Sequence, residues 1–149
     1  MNSRITFFIT LLVLIICTFL LVTGSDILVK PVIPGSGLPW GTIITWAGLI
    51  ALPSTILSGI ENIRHPGNAV FRILNIANKM AVFFALIWGL VSYYFANNWA
   101  FTFSQQTEFR GSIKASSFFW NYTLFVIVLS LTLLIVYFPY KILNKRRSK

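Results

Sequence analysis

Acidic side chains are nearly missing from this chain: three Asp and Glu stand among 149 residues, beside twelve Lys and Arg, for a formal net charge of +9. None of the three lies at the centre of a long apolar run, which argues against a membrane proton relay of the Asp/Glu type. Histidine is scarcer still. His65 stands alone, so this chain by itself supplies neither paired imidazoles for a haem nor a His/Cys metal cluster. Cys17 is the single cysteine and has no intrachain partner, so cysteine usage says nothing of redox compartment. A nucleophile needs an adjacent base, yet Cys17 has no histidine near it, and Asp26 and Glu108 lie far apart in sequence. No catalytic residue, metal or cofactor is assigned, and an enzyme is not expected. A lipid-directed enzyme would have to use Glu61 and His65 as its acid and base.

Charge of either sign is also thin. Charged residues make up 10% of the chain, against about 25% in soluble domains, while hydrophobic residues reach 56%. A soluble fold has no interior large enough to hide that much apolar surface. The apolar residues gather in four runs, 5–22, 42–60, 73–96 and 118–140. Each matches the roughly 20 residues, at about 1.5 Å rise per residue, that a helix needs to cross a bilayer. The expected fold is all-α: one domain spanning 1–149, polytopic, with four transmembrane helices in a small antiparallel bundle and a short basic tail at 141–149. The first run is longer than the roughly 7–15 residues of a signal-peptide core. It therefore reads as a retained span, although Val22-Thr23-Gly24 resembles a cleavage site.

The basic excess is asymmetric. With the amino terminus inside, nine cations fall on the inner side: Arg4, Arg64, Arg72, Lys79, Lys141, Lys145, Arg146, Arg147 and Lys149. Only Lys30, Arg110 and Lys114 fall outside. This is the positive-inside pattern, and it predicts cytoplasmic termini in a cell membrane of bacterial type. Nucleic acid is not an expected partner, since no basic face with stacking aromatics lies outside the runs. Trp46, Tyr93, Tyr94, Trp99, Trp120, Tyr122, Tyr137 and Tyr140 sit near the run ends, as expected of interfacial aromatic belts.

Between the runs, residues 24–39 carry three prolines and three glycines, which predicts a turning outer loop. Pro66-Gly67 predicts a tight inner turn, with Asn68 as the N-cap of the third helix. Residues 97–117 are compatible with a short strand pair or a surface helix. Pro53 predicts a kink in the second span, with the neighbouring Ser54 and Thr55 hydroxyls available to freed carbonyls.

Two small-residue strips recur at four-residue spacing: Ala47, Ala51, Thr55 and Gly59 in the second span, and Ala77, Ala81, Ala85 and Gly89 in the third. Such strips let helix backbones approach closely in lipid, and the simplest expectation is that the two face each other. A polar strip, Asn68, Arg72, Asn75 and Lys79, opens the third span. Glu61 is the expected ion-pair partner of Lys79. Arg64, Arg72, Asn75 and Lys79 are the candidates for holding an anionic headgroup or phosphate.

Two functional expectations follow. The first is a small non-catalytic accessory, scaffold or immunity-type interaction protein, with membrane lipids and either further copies of itself or another membrane protein as partners. The alternative is an oligomeric small transporter, flippase or channel that uses the basic patch at the cytoplasmic end of spans two and three.

Overall fold

The computed structural model describes residues 3–34, 38–96 and 113–147, the side chains of residues 96 and 144–147 excepted. The expected shape of 97–112 lies outside the described residues. Among the described residues five α-helices form: α1 (Ser3–Thr23), α2 (Trp40–Gly59), the single turn α3 (Glu61–Arg64), α4 (Ala69–Ala96) and α5 (Ile113–Arg147). Four of them, α1, α2, α4 and α5, are long and apolar enough to cross a membrane. The fold is an all-α bundle, and contacts between successive long helices fix their relative direction. Ser3 bonds Ser58, Pro53 meets Asn78, and Trp88 meets Thr123, so neighbours run antiparallel.

α2 is the central helix. Of its most apolar stretch 44% is buried, against 6% for α1. α4 and α5 pack against α2 and against each other, whereas α1 packs chiefly along α2. The main core joins Leu49 of α2, Ala85 and Trp88 of α4, and Phe119 and Val126 of α5. Because lipid tails are as apolar as leucine, polar clips and close packing hold the helices rather than hydrophobic drive. The Trp88 Nε1–H donates to Thr123 Oγ1 at 2.9 Å, and the Tyr122 hydroxyl donates to the Phe84 carbonyl at 2.7 Å. At the opposite end Phe71 packs its ring on Tyr137 and Tyr140.

The two small-residue strips do not face one another. On α2, Ala47 packs by the cluster of Cys17, Leu28 and Ile44, and Phe7 lies against Gly59. Cys17 and Phe7 belong to α1. On α4, Gly89 lies under the Trp46 ring of α2, whose Nε1–H donates to the Ala85 carbonyl at 3.0 Å. The physical reason is angular. Trp46 lies about a quarter-turn or more from the Ala51 and Thr55 side of α2, at about 100° per residue, so α2 turns its aromatic face to α4 and its smooth face to α1. Trp46 is thus an interhelical side chain, not part of an interfacial belt.

The outer loop is more ordered than a turning loop requires. Residues Asp26–Val29 form a 3-10 turn that drops Leu28 into the α1–α2 cluster. Val32 N–H donates to the Leu38 carbonyl and Trp40 N–H to that of Lys30, joining the two arms of the loop. At Pro53 the hydroxyls of Ser54 and Thr55 donate to Ile50 and Ala51 respectively. They serve the two carbonyls after that of Leu49, the one proline leaves without its usual donor. α5 continues through the expected tail to Arg147.

Asn68 caps α4 as expected: its Oδ1 accepts from the Phe71 N–H at 2.9 Å. Asn68→Ala should cost about 1 kcal/mol. The check is a shift in the unfolding midpoint in mixed micelles; an unchanged midpoint would show that the cap contributes nothing there.

Candidate functional site

Polar chemistry concentrates at the end of the bundle where α1 begins, α2 ends and α4 begins. The α2 helix stops at Gly59, α3 makes one turn, and α4 starts after Asn68. This brings Arg64 back over the α1–α2 seam. Two cavities flank that seam. One, of about 470 Å³, has Arg4, Phe7, Phe8, Gly59 and Glu61 in its lining. The other, of about 460 Å³, has Thr6, Ser54, Leu57, Asn75, Lys79 and Val82 in its lining. Ser3, Ser58 and Arg64 line both, and the Ser3 hydroxyl donates to the Ser58 carbonyl between them. The two cavities form one groove with Arg64 at its centre.

The electrostatics of the groove are uneven. Arg64 Nε is buried without a hydrogen-bond partner. A buried guanidinium N–H with no acceptor is costly, and an anion entering the groove supplies one. The Ser54 and Ser58 hydroxyls are spent on carbonyls of their own helix, Ile50 and Ser54. They therefore offer the groove acceptor lone pairs, and the charged donors to an anion are its cations. Arg64 and Lys79 fill that role on the α4 side, and Arg4 stands on the α1 side.

The sequence candidates divide here. Arg64 and Lys79 both line the groove. Asn75 lines it too, and one of its two Nδ2–H groups donates to the Ile63 carbonyl and clips α3 onto α4. Arg72 is exposed and is not among the lining residues of either cavity. Glu61 lines the cavity on the α1 side, and no ion pair joins it to Lys79 among the described residues. His65 is exposed and lines neither cavity. No group of three or more His, Cys, Asp or Glu residues is placed to hold a metal among the described residues.

Sequence reasoning missed four side chains, for three different reasons. Arg4 counted only as a topology charge, although its position at the very start of a helix that pairs antiparallel with α2 puts it beside the α2 end. Ser3 and Thr6 were unreadable without the α1–α2 register. Asn78 is the third kind of omission: it is fully buried and donates from Nδ2 to the Pro53 carbonyl at 3.0 Å, tying α4 to the proline turn of α2. An asparagine ten residues inside an apolar helix is itself the signal, because an unpaired amide in lipid is expensive.

On the other flank of α2, a cavity of about 320 Å³ opens between α1, α2 and α5. Cys17, Thr45, Gly48 and Ile127 are among its lining residues, and it carries no charged group.

The fold and the groove together define an integral membrane protein of four spanning helices with a basic cleft at one end. Compared with known protein families, curated proteins and solved structures, the chain has no match.

Proposed function

We propose that this is a non-catalytic, accessory-type membrane protein that binds an anionic headgroup in the Arg64 groove. The observation that carries the reading is the buried, acceptor-less Arg64 Nε in a cavity lined by α1, α2, α3 and α4. The cation asymmetry supports a cytoplasmic position for this end, with both termini inside a bacterial-type cell membrane. Charge-assisted hydrogen bonds from guanidinium to phosphate are about twice as strong as neutral ones. Arg64 supplies them from a one-turn helix that Asn75 fixes in place.

The binding reading is favoured over the transporter reading by where the polar lining stops. It ends near Lys79 and Ser54, and the next layer toward the other end is the packed core of Leu49, Ala85 and Trp88. An acid–base role for Glu61 and His65 gains no support, since His65 stands outside the groove.

The test is lipid-dependent stability of the purified protein in neutral detergent. An anionic lipid at about 100 times its dissociation constant should stabilise the fold by about 2.7 kcal/mol, and a zwitterionic lipid should not. Arg64→Gln should abolish that gain, while Lys141→Gln, which removes the same charge from an exposed site on α5, should keep it. Equal gains in the two variants would show diffuse attraction to the basic surface and refute a built site.

A further inference from the structure

The groove carries more charge than one phosphodiester needs. Arg4, Arg64 and Lys79 line it against the single carboxylate of Glu61. Arg64 and Lys79 line the same 460 Å³ cavity, and Glu61 lines only the other. An anion in the α4-side cavity therefore meets two cations with no carboxylate in the lining. Its apolar lining is Leu57 of α2, beside Ser58, and Val82 of α4, which lies about one turn beyond Lys79 and away from Arg64. α1 and α4 lie on opposite sides of α2, as Phe7 against Gly59 and Trp46 against Gly89 show. A strip of α2 is thus left open sideways between them. A ligand here has to combine a compact, doubly charged head with an apolar tail that leaves toward the lipid.

We propose that the groove selects a lipid ending in a phosphate monoester over lipids with a phosphodiester headgroup. The phosphate lies between Arg64 and Lys79, and the chain leaves past Leu57 and runs along Val82 into the bilayer. A monoester carries about −1.5 to −2 charges near neutral pH, because its second proton is lost with a pKa of about 6. A diester carries one. Arg64 alone satisfies one charge in either lipid, and Lys79 answers the second charge that only the monoester has. The inference rests on the anionic-headgroup reading given above and adds the identity of the headgroup.

The experiment is native mass spectrometry, in neutral detergent, of the purified full chain with phosphatidic acid, phosphatidylglycerol or phosphatidylcholine. At about pH 7.5 phosphatidic acid should bind roughly tenfold more tightly than phosphatidylglycerol, as one further charge-assisted contact predicts. At about pH 5, where the monoester has lost most of its second charge, that preference should disappear. Lys79→Gln should erase the preference while phosphatidylglycerol still binds, and Arg64→Gln should weaken both. Inorganic phosphate at the concentration of the lipid should fail to displace phosphatidic acid, since it lacks the chain. Equal binding of the two anionic lipids at pH 7.5 overturns the monoester inference and leaves the headgroup site standing. Binding of neither above phosphatidylcholine overturns both. A preference unchanged in Lys79→Gln, or displacement by free phosphate, refutes the arrangement of head and chain.

Discussion

Trp88→Ala should destabilise the bundle by on the order of 3 kcal/mol, the low end of what large-to-small aromatic truncations cost in packed cores. Trp88 is 1% exposed and packs between α4 and α5 beside Phe119, with ring centroids 5.7 Å apart. In a bilayer the transfer share of the cost shrinks, because the lipid is itself apolar. What remains is the void, whose lining loses its contacts outright, together with the hydrogen bond to Thr123 Oγ1. Thr123 keeps a second bond to the Phe119 carbonyl, so its hydroxyl is not orphaned. Trp88→Phe separates the two contributions: it keeps most of the ring and loses only the indole donor, for about 1 kcal/mol. Reversible unfolding in mixed micelles measures both. Equal losses for the two variants would mean that the hydrogen bond, not the packing, carries the site.

The second large effect comes from a single methyl group. A Cβ at Gly89 would stand 2.7 Å from Cη2 and Cζ2 of Trp46. That ring is held in place, since its Nε1–H donates to the Ala85 carbonyl at 3.0 Å on the same face of α4. Gly89→Ala should therefore force α2 away from α4 or break the indole bond, at about 1–3 kcal/mol, against a gain of up to about 1 kcal/mol in helix propensity. Gly59 makes the contrast. A Cβ there would stand 2.6 Å from Phe7, but Phe7 lies one turn into the exposed α1, whose side chains have room to move. Gly59→Ala should cost less than Gly89→Ala in the same unfolding measurement. The reverse order would place the tighter interface between α1 and α2.

How much was legible beforehand varies residue by residue. Asn68 was legible because capping is local chemistry: a side-chain oxygen and an N–H three residues later. Ala81, Ala85 and Gly89 were legible as a contact surface, since spacing of four puts them on one face. Their partner was not, because periodicity gives a face and not the identity of what meets it. The α2 strip shows the consequence, for it receives α1. Among the candidate anion residues, Arg64 and Lys79 share the groove. Arg72 stands outside it although it shares the sequence strip of Asn75 and Lys79, and Asn75 lines it while giving one amide N–H to the Ile63 carbonyl. A strip drawn on one helix carries no information about a seam made by three.

By itself the sequence determined the solvent and the scaffold. Four apolar runs of spanning length leave a bilayer as the only medium that suits them, and backbone hydrogen bonding in that medium leaves the helix as the form they take. The positions of cations along the chain likewise set an expected orientation, since the positive-inside bias is read from sequence order alone. Tertiary structure alone decided which faces meet and where a ligand fits. In lipid almost any apolar face is tolerated on any side, so composition does not choose α2 as the centre. The choice rests on a few particular fits: Trp46 over Gly89, Phe7 on Gly59, and Asn78 at the Pro53 carbonyl. Those fits leave the groove where Arg4, Arg64 and Lys79 come together from three separate helices.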